Sequence, residues 1–148
     1  MNPATHARLS VAAFESGEIE VDAFDHEAHV YVAWLYLEQF PPQEAADRFC
    51  AALRRLTERL GLSGKYHETI SRFFLQLIAE RRKAAPGNAW PAFRRKNEDL
   101  CSGAAALLDR HYSRELLSSD RARAEFVTPD RRVAQAALRT GLRSRPDR

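Results

Sequence analysis

Apolar residues recur at helical spacing along most of this 148-residue chain, in blocks that proline and glycine separate. In the block from 42 to 60, for example, the apolar positions include Ala45, Phe49, Leu53, Leu56 and Leu60. Steps of three and four place such residues on one face of an α-helix. The alternation typical of a half-buried strand does not occur over any useful length. The pattern therefore predicts an all-α protein, and the short links between helices favour a compact helical bundle.

The stop signals divide this pattern into about five to six helices and a short last turn. We expect helical segments at about 3–15, from 23 or 26 to 39, and at about 42–60, 64–83, 89–102, 104–112 and 120–126. Their predicted N-caps include Asp22 or Asp25 for the second segment, Ser63 for the fourth, Asn88 for the fifth and Ser119 for the last.

The basic charge of the chain is concentrated near its C-terminal end. From Asp120 to Arg148 there are eight arginines against four acidic residues, a net charge of +4, whereas the whole chain carries +3. We therefore expect one helical domain over residues 1–127, followed by a basic, flexible, Arg-rich C-terminal tail over 128–148. Because nucleic-acid binding needs a clustered basic face on the folded body, this distribution argues against a nucleic-acid partner.

The apolar runs and the cysteines allow a prediction of the cellular compartment. The longest apolar run, Val30–Leu37, is eight residues, whereas a membrane span needs about 20. The N-terminal residues show no basic flank followed by an apolar stretch, so we expect no signal peptide and no membrane partner. Cys50 and Cys101 stand alone, without a CxxC spacing. They are typical of reduced thiols in a cytoplasmic protein.

Four of the five histidines lie on the apolar faces of predicted helices. His26 and His29 are three residues apart and share a face with Val30. His67 lies at the start of another apolar stripe, and His111 follows the apolar residues of a third helix. Three of these histidines stand in the first turns of their helices, and His111 closes one. If neighbouring helices alternate in direction, all four imidazoles are expected in one layer of the bundle.

Such a layer of imidazoles suggests a metal site. Neutral imidazole is the commonest metal ligand in proteins. Three histidines with an open position would suit catalytic zinc or iron, and four would suit a closed or copper-like site. We therefore predict a metal-binding helical bundle that holds zinc, iron or copper. If the protein is an enzyme, we expect metal-dependent chemistry of the hydrolase or oxygenase type. Tyr66, Thr69 and Tyr112 are adjacent to the histidines or near them along the chain and are candidates for orienting a small-molecule substrate.

Two other interpretations stay open. In the first, His67 or His26 is paired with a carboxylate and performs metal-free acid–base catalysis. In the second, the histidines are structural core residues of a helical interaction or regulatory module, and the Arg-rich tail binds an acidic partner. The sequence predicts no particular oligomeric state.

Three short motifs carry a resemblance. The segments Phe24–His29 (FDHEAH), Lys65–Thr69 (KYHET) and His111–Ser113 (HYS) resemble motifs of a family of small, uncharacterised bacterial all-helical proteins. The resemblance covers about residues 14 to 130 and implies an all-helical fold, but no mechanism. The histidine pattern is more loosely similar to the DinB-like and hemerythrin-like bundles, and that similarity implies a bound metal.

Overall fold

In a computed structural model, the protein is all-α, as the sequence predicts. The structure describes residues 8–20, 22 and 24–131, and over these residues it contains nine α-helices and no strand. The helices are α1 Val11–Ser16, α2 His26–Gln39, α3 Pro42–Arg59, α4 Glu68–Ala84, α5 Trp90–Lys96, α6 Glu98–Ser102, α7 Ala104–His111, α8 Arg114–Leu117 and α9 Asp120–Ala124. A short 3₁₀ turn, Ser63–Lys65, lies between α3 and α4.

The three longest helices form the centre of the bundle. Helices α2, α3 and α4 pack against one another, α1 packs against α2 and α3, α6 packs against α2, and α9 packs against α4. Only Phe40 and Pro41 join α2 to α3, so the chain reverses direction there. The link from α3 to α4 reverses it again. The first turns of α2 and α4 therefore lie at the same end of the bundle as the last turns of α3.

Local sequence signals explain where α2 and α3 begin and end. The carboxylate of Asp25 accepts a hydrogen bond from the backbone N–H of Ala28 at 2.9 Å, so Asp25 rather than Asp22 caps α2. Pro42 occupies the first turn of α3, where its missing N–H costs nothing. After α3, Gly61 has φ +72°, a left-handed conformation that glycine adopts without strain.

The predicted start of α4 is wrong. Ser63 does not cap a helix from Gly64, because residues Ser63–Lys65 form the separate 3₁₀ turn. The helix begins at Glu68, and His67 is its N-cap. The ring nitrogen Nδ1 of His67 accepts the hydrogen bond from the Ile70 N–H that a serine hydroxyl would otherwise accept.

Smaller corrections affect the shorter helices. The predicted first helix is interrupted at Leu9, and Ser10 caps a new helix, while Pro3 and His6 lie outside the described residues. Ala89, not Asn88, occupies the N-cap position of α5. Asn97 then separates α5 from α6, where the sequence predicts one continuous helix.

The C-terminal part of the described chain folds back onto the bundle. Ser119 caps α9 as predicted, but the helix ends at Ala124 rather than at Phe126, and α8 has no counterpart in the sequence prediction. Beyond α9, Asp130 accepts hydrogen bonds from the backbone and the hydroxyl of Ser113. The predicted tail begins at residue 128, and its residues 132–148 lie outside the described part of the chain.

Two global expectations can be compared with this fold. Among the described residues, no helix has the length and apolar character that crossing a membrane requires. Cys50 and Cys101 are both free thiols, as the sequence predicts. Burial raises the pKa of each thiol to about 11, so both are protonated and unreactive near neutral pH.

Candidate functional site

A cavity of about 470 Å³ lies at the end of the bundle where α2 and α4 begin and α3 ends. We call it the end cavity. Its apolar wall comes from all three long helices and includes Val30, Phe49, Leu53, Leu56, Phe74 and Ile78. Its polar lining includes three of the four predicted histidines, namely His26, His29 and His67. The volume is in the range of about 300–1,000 Å³ that is usual for small-molecule sites.

The opening of the end cavity is marked by exposed residues. Asp25, Leu60 and Lys65 all line the cavity and are all exposed to solvent. Leu60 is the one large apolar side chain in the described chain that is exposed, at 42%.

His26 is held against the bundle by a distant backbone carbonyl. Its Nε2 lies 2.8 Å from the carbonyl oxygen of Leu100 in α6. Because a carbonyl only accepts, Nε2 must carry a proton, and in the neutral form of the ring Nδ1 is then the unprotonated nitrogen. The ring also packs edge-to-face against Phe74, with 5.4 Å between the centroids. The imidazole is thereby fixed in one orientation and one tautomer.

His29 is fixed in a similar way, through its other nitrogen. Its Nδ1 lies 2.9 Å from the backbone carbonyl oxygen of Asp25, so Nδ1 is the donor and Nε2 is the bare nitrogen. The ring packs on Phe24 at 4.2 Å and lies parallel to His26 at 6.4 Å, between centroids. Burial lowers the pKa of His29, and a neighbouring His26 cation would lower it further. His29 is therefore held as the neutral imidazole.

The lowered pKa of His29 makes the stability of the protein depend on pH. The unfolded chain, with the ordinary pKa of 6.5, binds a proton more readily than the folded chain. We expect the free energy of unfolding to fall as pH drops below about 6.5, by up to about 1.4 kcal/mol per pH unit. His29→Phe keeps a ring against Phe24 and removes the titrating group. Denaturant curves measured from pH 8 to 5 should therefore show a smaller decline in the free energy of unfolding for the variant than for the wild type. Equal slopes for the variant and the wild type would contradict this assignment.

His67 lines the same cavity, but both of its ring nitrogens are already used. Nδ1 accepts from the N–H of Ile70 at 3.2 Å and thereby caps α4. Nε2 donates to the carbonyl of Leu117 at 2.7 Å and so joins α4 to the end of α8. A metal bound at either nitrogen would displace one of these bonds. His67 is thus a structural connector at the edge of the cavity, not an available ligand.

His111 does not belong to this group. It is buried at the end of α7, and its Nδ1 lies 2.9 Å from the carbonyl of Leu107 in the same helix. Its ring packs against Phe73 with 4.9 Å between centroids, and it does not line the end cavity. The predicted layer of four imidazoles therefore contains three in the structure, because α7 follows the bend at Gly103 and lies elsewhere on the bundle.

The histidines present do not fit the predicted metal centre. A metal site needs three or four donor atoms around one point. Of the four predicted ligands, only His26 and His29 combine a ring nitrogen that makes no hydrogen bond with a position at the cavity, because both nitrogens of His67 are hydrogen-bonded and His111 does not line the cavity. Over the described residues, no group of three or more His, Cys, Asp or Glu side chains has the arrangement to hold an ion. Two imidazoles from adjacent turns are too few for a zinc, iron or copper site of the predicted type.

The three candidate substrate-orienting residues have different surroundings. Tyr66 is buried and lines the end cavity. Thr69 is fully buried, and its hydroxyl donates to the carbonyl of Glu125 and accepts from the N–H of Val127. Tyr112 is also fully buried and donates to the Val127 carbonyl at 2.7 Å. Thr69 and Tyr112 therefore hold the segment after α9 in place, and only Tyr66 is positioned to contact a ligand in the cavity.

The role of Thr69 can be tested with an isosteric change. Thr69→Val keeps the volume but leaves the buried N–H of Val127 without its acceptor, so we expect the free energy of unfolding to fall by about 1–3 kcal/mol. Thr57→Val is the matched control, because the Thr57 hydroxyl donates only to the backbone carbonyl of Arg54 in its own helix. It should change stability by about 0.5 kcal/mol or less. Urea denaturation of both variants measures the difference, and equal effects would contradict the role.

A polar network beside the cavity has no counterpart in the sequence prediction. Glu68 accepts hydrogen bonds from the hydroxyl of Tyr66 and from Nε of Arg72, both at 2.5 Å. Arg72 also pairs with Asp47 of α3 at 2.9 Å. Burial raises the pKa of Glu68, but the bonds from Arg72 and Tyr66 outweigh it and lower the pKa overall. The available signal was the Glu68–Arg72 spacing of four residues, which predicts an ion pair on one helix face.

Comparison with known proteins adds no relative to this description. The chain matches no protein-family model, no curated protein and no solved structure.

Proposed function

We propose that this protein binds a small, mainly apolar molecule in the end cavity. The observation that carries the proposal is the cavity itself, about 470 Å³ with predominantly apolar walls, between three helices that are otherwise well packed. Protein interiors are packed like organic crystals and contain few voids larger than a water molecule. A space of this size between the long helices is therefore a candidate ligand site.

The apolar wall of the end cavity supports this proposal. Apolar surface that stays in contact with water forgoes about 25 cal/mol per Å² of the free energy that burial would provide. Water could enter through the opening, but an apolar wall offers it few hydrogen-bond partners. An apolar ligand of matching size is the occupant that stabilises these surfaces most.

The same geometry makes metal binding and acid–base catalysis weaker proposals. Metal binding would need donors that the described residues do not bring together. Catalysis by His67 or His26 would need a carboxylate partner, whereas both imidazoles are paired with backbone carbonyls. The interaction-module hypothesis depends on the Arg-rich tail, most of which lies outside the described residues. Ligand binding uses only features of the described chain.

The proposal can be tested with a neutral fluorescent probe. N-phenyl-1-naphthylamine brightens in apolar sites, so it should bind with a stoichiometry of about one per chain. Ser71→Phe places a ring into the cavity lining and should abolish saturable binding. Gln76→Phe adds the same ring to an exposed position of α4 outside the end cavity and should leave binding unchanged. Equal binding by both variants would contradict the proposal.

A metal analysis separates this proposal from the metal hypothesis. Protein purified without an affinity tag is expected to contain far less than one equivalent of zinc, iron or copper, because only two donors are available. The wild type and His29→Phe should be indistinguishable in this respect. A near-stoichiometric metal content that is lost in His29→Phe would overturn the ligand proposal in favour of a metal centre.

A further inference from the structure

The polar side-chain atoms of the end cavity are mostly acceptors, because their hydrogens are already donated to other groups of the protein. His26 donates through Nε2 to Leu100, and His29 donates through Nδ1 to Asp25. In the neutral form of each ring, the remaining nitrogens, His26 Nδ1 and His29 Nε2, therefore carry lone pairs and no proton. Neither nitrogen has a hydrogen-bond partner among the described residues.

These two nitrogens are also accessible. Over the described residues, Asn88 Nδ2 is the one side-chain nitrogen or oxygen that is both buried and without a partner. Neither bare imidazole nitrogen belongs to that class, so each one is in contact with solvent-accessible space, and both residues line the end cavity. A hydrogen-bond donor that enters the cavity can therefore reach an acceptor without displacing a bond within the protein.

Two hydroxyl groups of cavity-lining residues likewise donate their hydrogens to acceptors within the protein. Tyr66 donates its hydroxyl hydrogen to Glu68, and Thr57 donates its own to the carbonyl of Arg54. The Thr57 oxygen retains its lone pairs, whereas the Tyr66 hydroxyl also interacts with the Cys50 thiol. Among the side chains of the described lining residues, the donors left are the Ser71 hydroxyl, which can rotate, and Lys65, which is exposed at the opening. The side chains of the cavity interior thus offer more acceptors than donors.

We propose that the ligand of the end cavity is an apolar alcohol or phenol, whose hydroxyl group donates a hydrogen bond to the bare nitrogen of His29 or His26. This inference rests on the proposed ligand-binding function and specifies the chemistry of the ligand. A carboxylate in the same position would place its lone pairs against those of the imidazoles and would lose hydration that these two acceptors cannot replace. An ether or a pure hydrocarbon would fill the cavity but leave the imidazole acceptors unpaired.

Three probes with one ring system distinguish these cases: 2-naphthol, 2-methoxynaphthalene and 2-naphthoate. Isothermal titration of the wild-type protein should show 2-naphthol binding about tenfold more tightly than its methyl ether, since one net hydrogen bond has about that effect. The naphthoate should bind more weakly than both. Equal affinity for naphthol and ether, or tightest binding of the naphthoate, would overturn the inference while the proposed function stands. If none of the three probes binds, the proposed function fails as well.

Variants of the two histidines locate the acceptor. In His29→Phe or His26→Phe, whichever residue supplies the acceptor, the preference for naphthol over its ether should shrink to within about twofold. The affinity for the ether should not fall, because the ring volume is retained. His29→Gln keeps a polar end group and should preserve part of the preference, which separates loss of the acceptor from a general disturbance of the fold. A tenfold preference that persists in both phenylalanine variants would contradict the assignment.

Discussion

Ala33→Leu is expected to stabilise the protein, whereas Ala52→Leu is expected to destabilise it, although the two alanines are equally buried at 2% exposure. Ala33 in α2 lines the end cavity, and Ala52 in α3 does not. A larger side chain at 33 can extend into available space and bury about three more carbon atoms. At 52 it has to displace packed neighbours.

The two substitutions should differ in sign as well as in size. Each buried methylene contributes about 0.8 kcal/mol, and ordering a leucine side chain costs about 0.5–1 kcal/mol, so a net gain of about 1.5 kcal/mol is expected at Ala33. Inserting the same atoms into a packed core typically costs about 1–3 kcal/mol. Urea denaturation at 25 °C measures both changes. If Ala33→Leu destabilises the protein as much as Ala52→Leu, the end cavity does not provide usable space.

The same pair of variants connects stability with ligand binding. Ala33→Leu should lower the affinity for a cavity ligand because it occupies part of the 470 Å³. A protein that gains stability while losing ligand affinity shows that the cavity is maintained for binding at a cost in packing. We expect this trade-off between stability and ligand affinity if the cavity serves to bind a ligand.

Periodicity was sufficient to predict the fold class and the inward position of the histidines on α2. His26 and His29 share a face with Val30 because residues three and four apart are neighbours on a helix. Alternating helix directions then bring the first turns of α2 and α4 together. The sequence pattern could therefore predict that His26, His29 and His67 lie near one end of the bundle, where the structure shows them lining one cavity.

The chemistry of these histidines depends on contacts that no local pattern contains. His26 bonds to Leu100, 74 residues away, and His67 bonds to Leu117, 50 residues away. These carbonyls are free to accept because they lie near the ends of the short helices α6 and α8, where no next turn uses them. The sequence could not predict that both short helices lie against the long ones. It therefore could not predict which imidazole nitrogens remain available.

His67→Ala is expected to lower the free energy of unfolding by about 2–4 kcal/mol in the absence of any ligand. Loss of a helix N-cap costs about 0.5–2 kcal/mol, and the carbonyl of Leu117 loses its donor, which adds about 1–3 kcal/mol where the group stays buried. The effect follows from the two bonds that the imidazole makes within the protein. Equilibrium unfolding in urea, followed by circular dichroism at 222 nm, measures it.

His67→Asn separates the contribution of the helix N-cap from that of the bond to Leu117. Asparagine is a preferred N-cap, so it should restore the bond to the Ile70 N–H, but its shorter side chain cannot also reach Leu117. We therefore expect His67→Asn to recover about half of the stability that His67→Ala loses. If His67 served mainly to hold a metal or a substrate, both variants would retain wild-type stability without ligand and would lose binding equally. Such a result would show that the imidazole is kept for binding and not for joining α4 to α8.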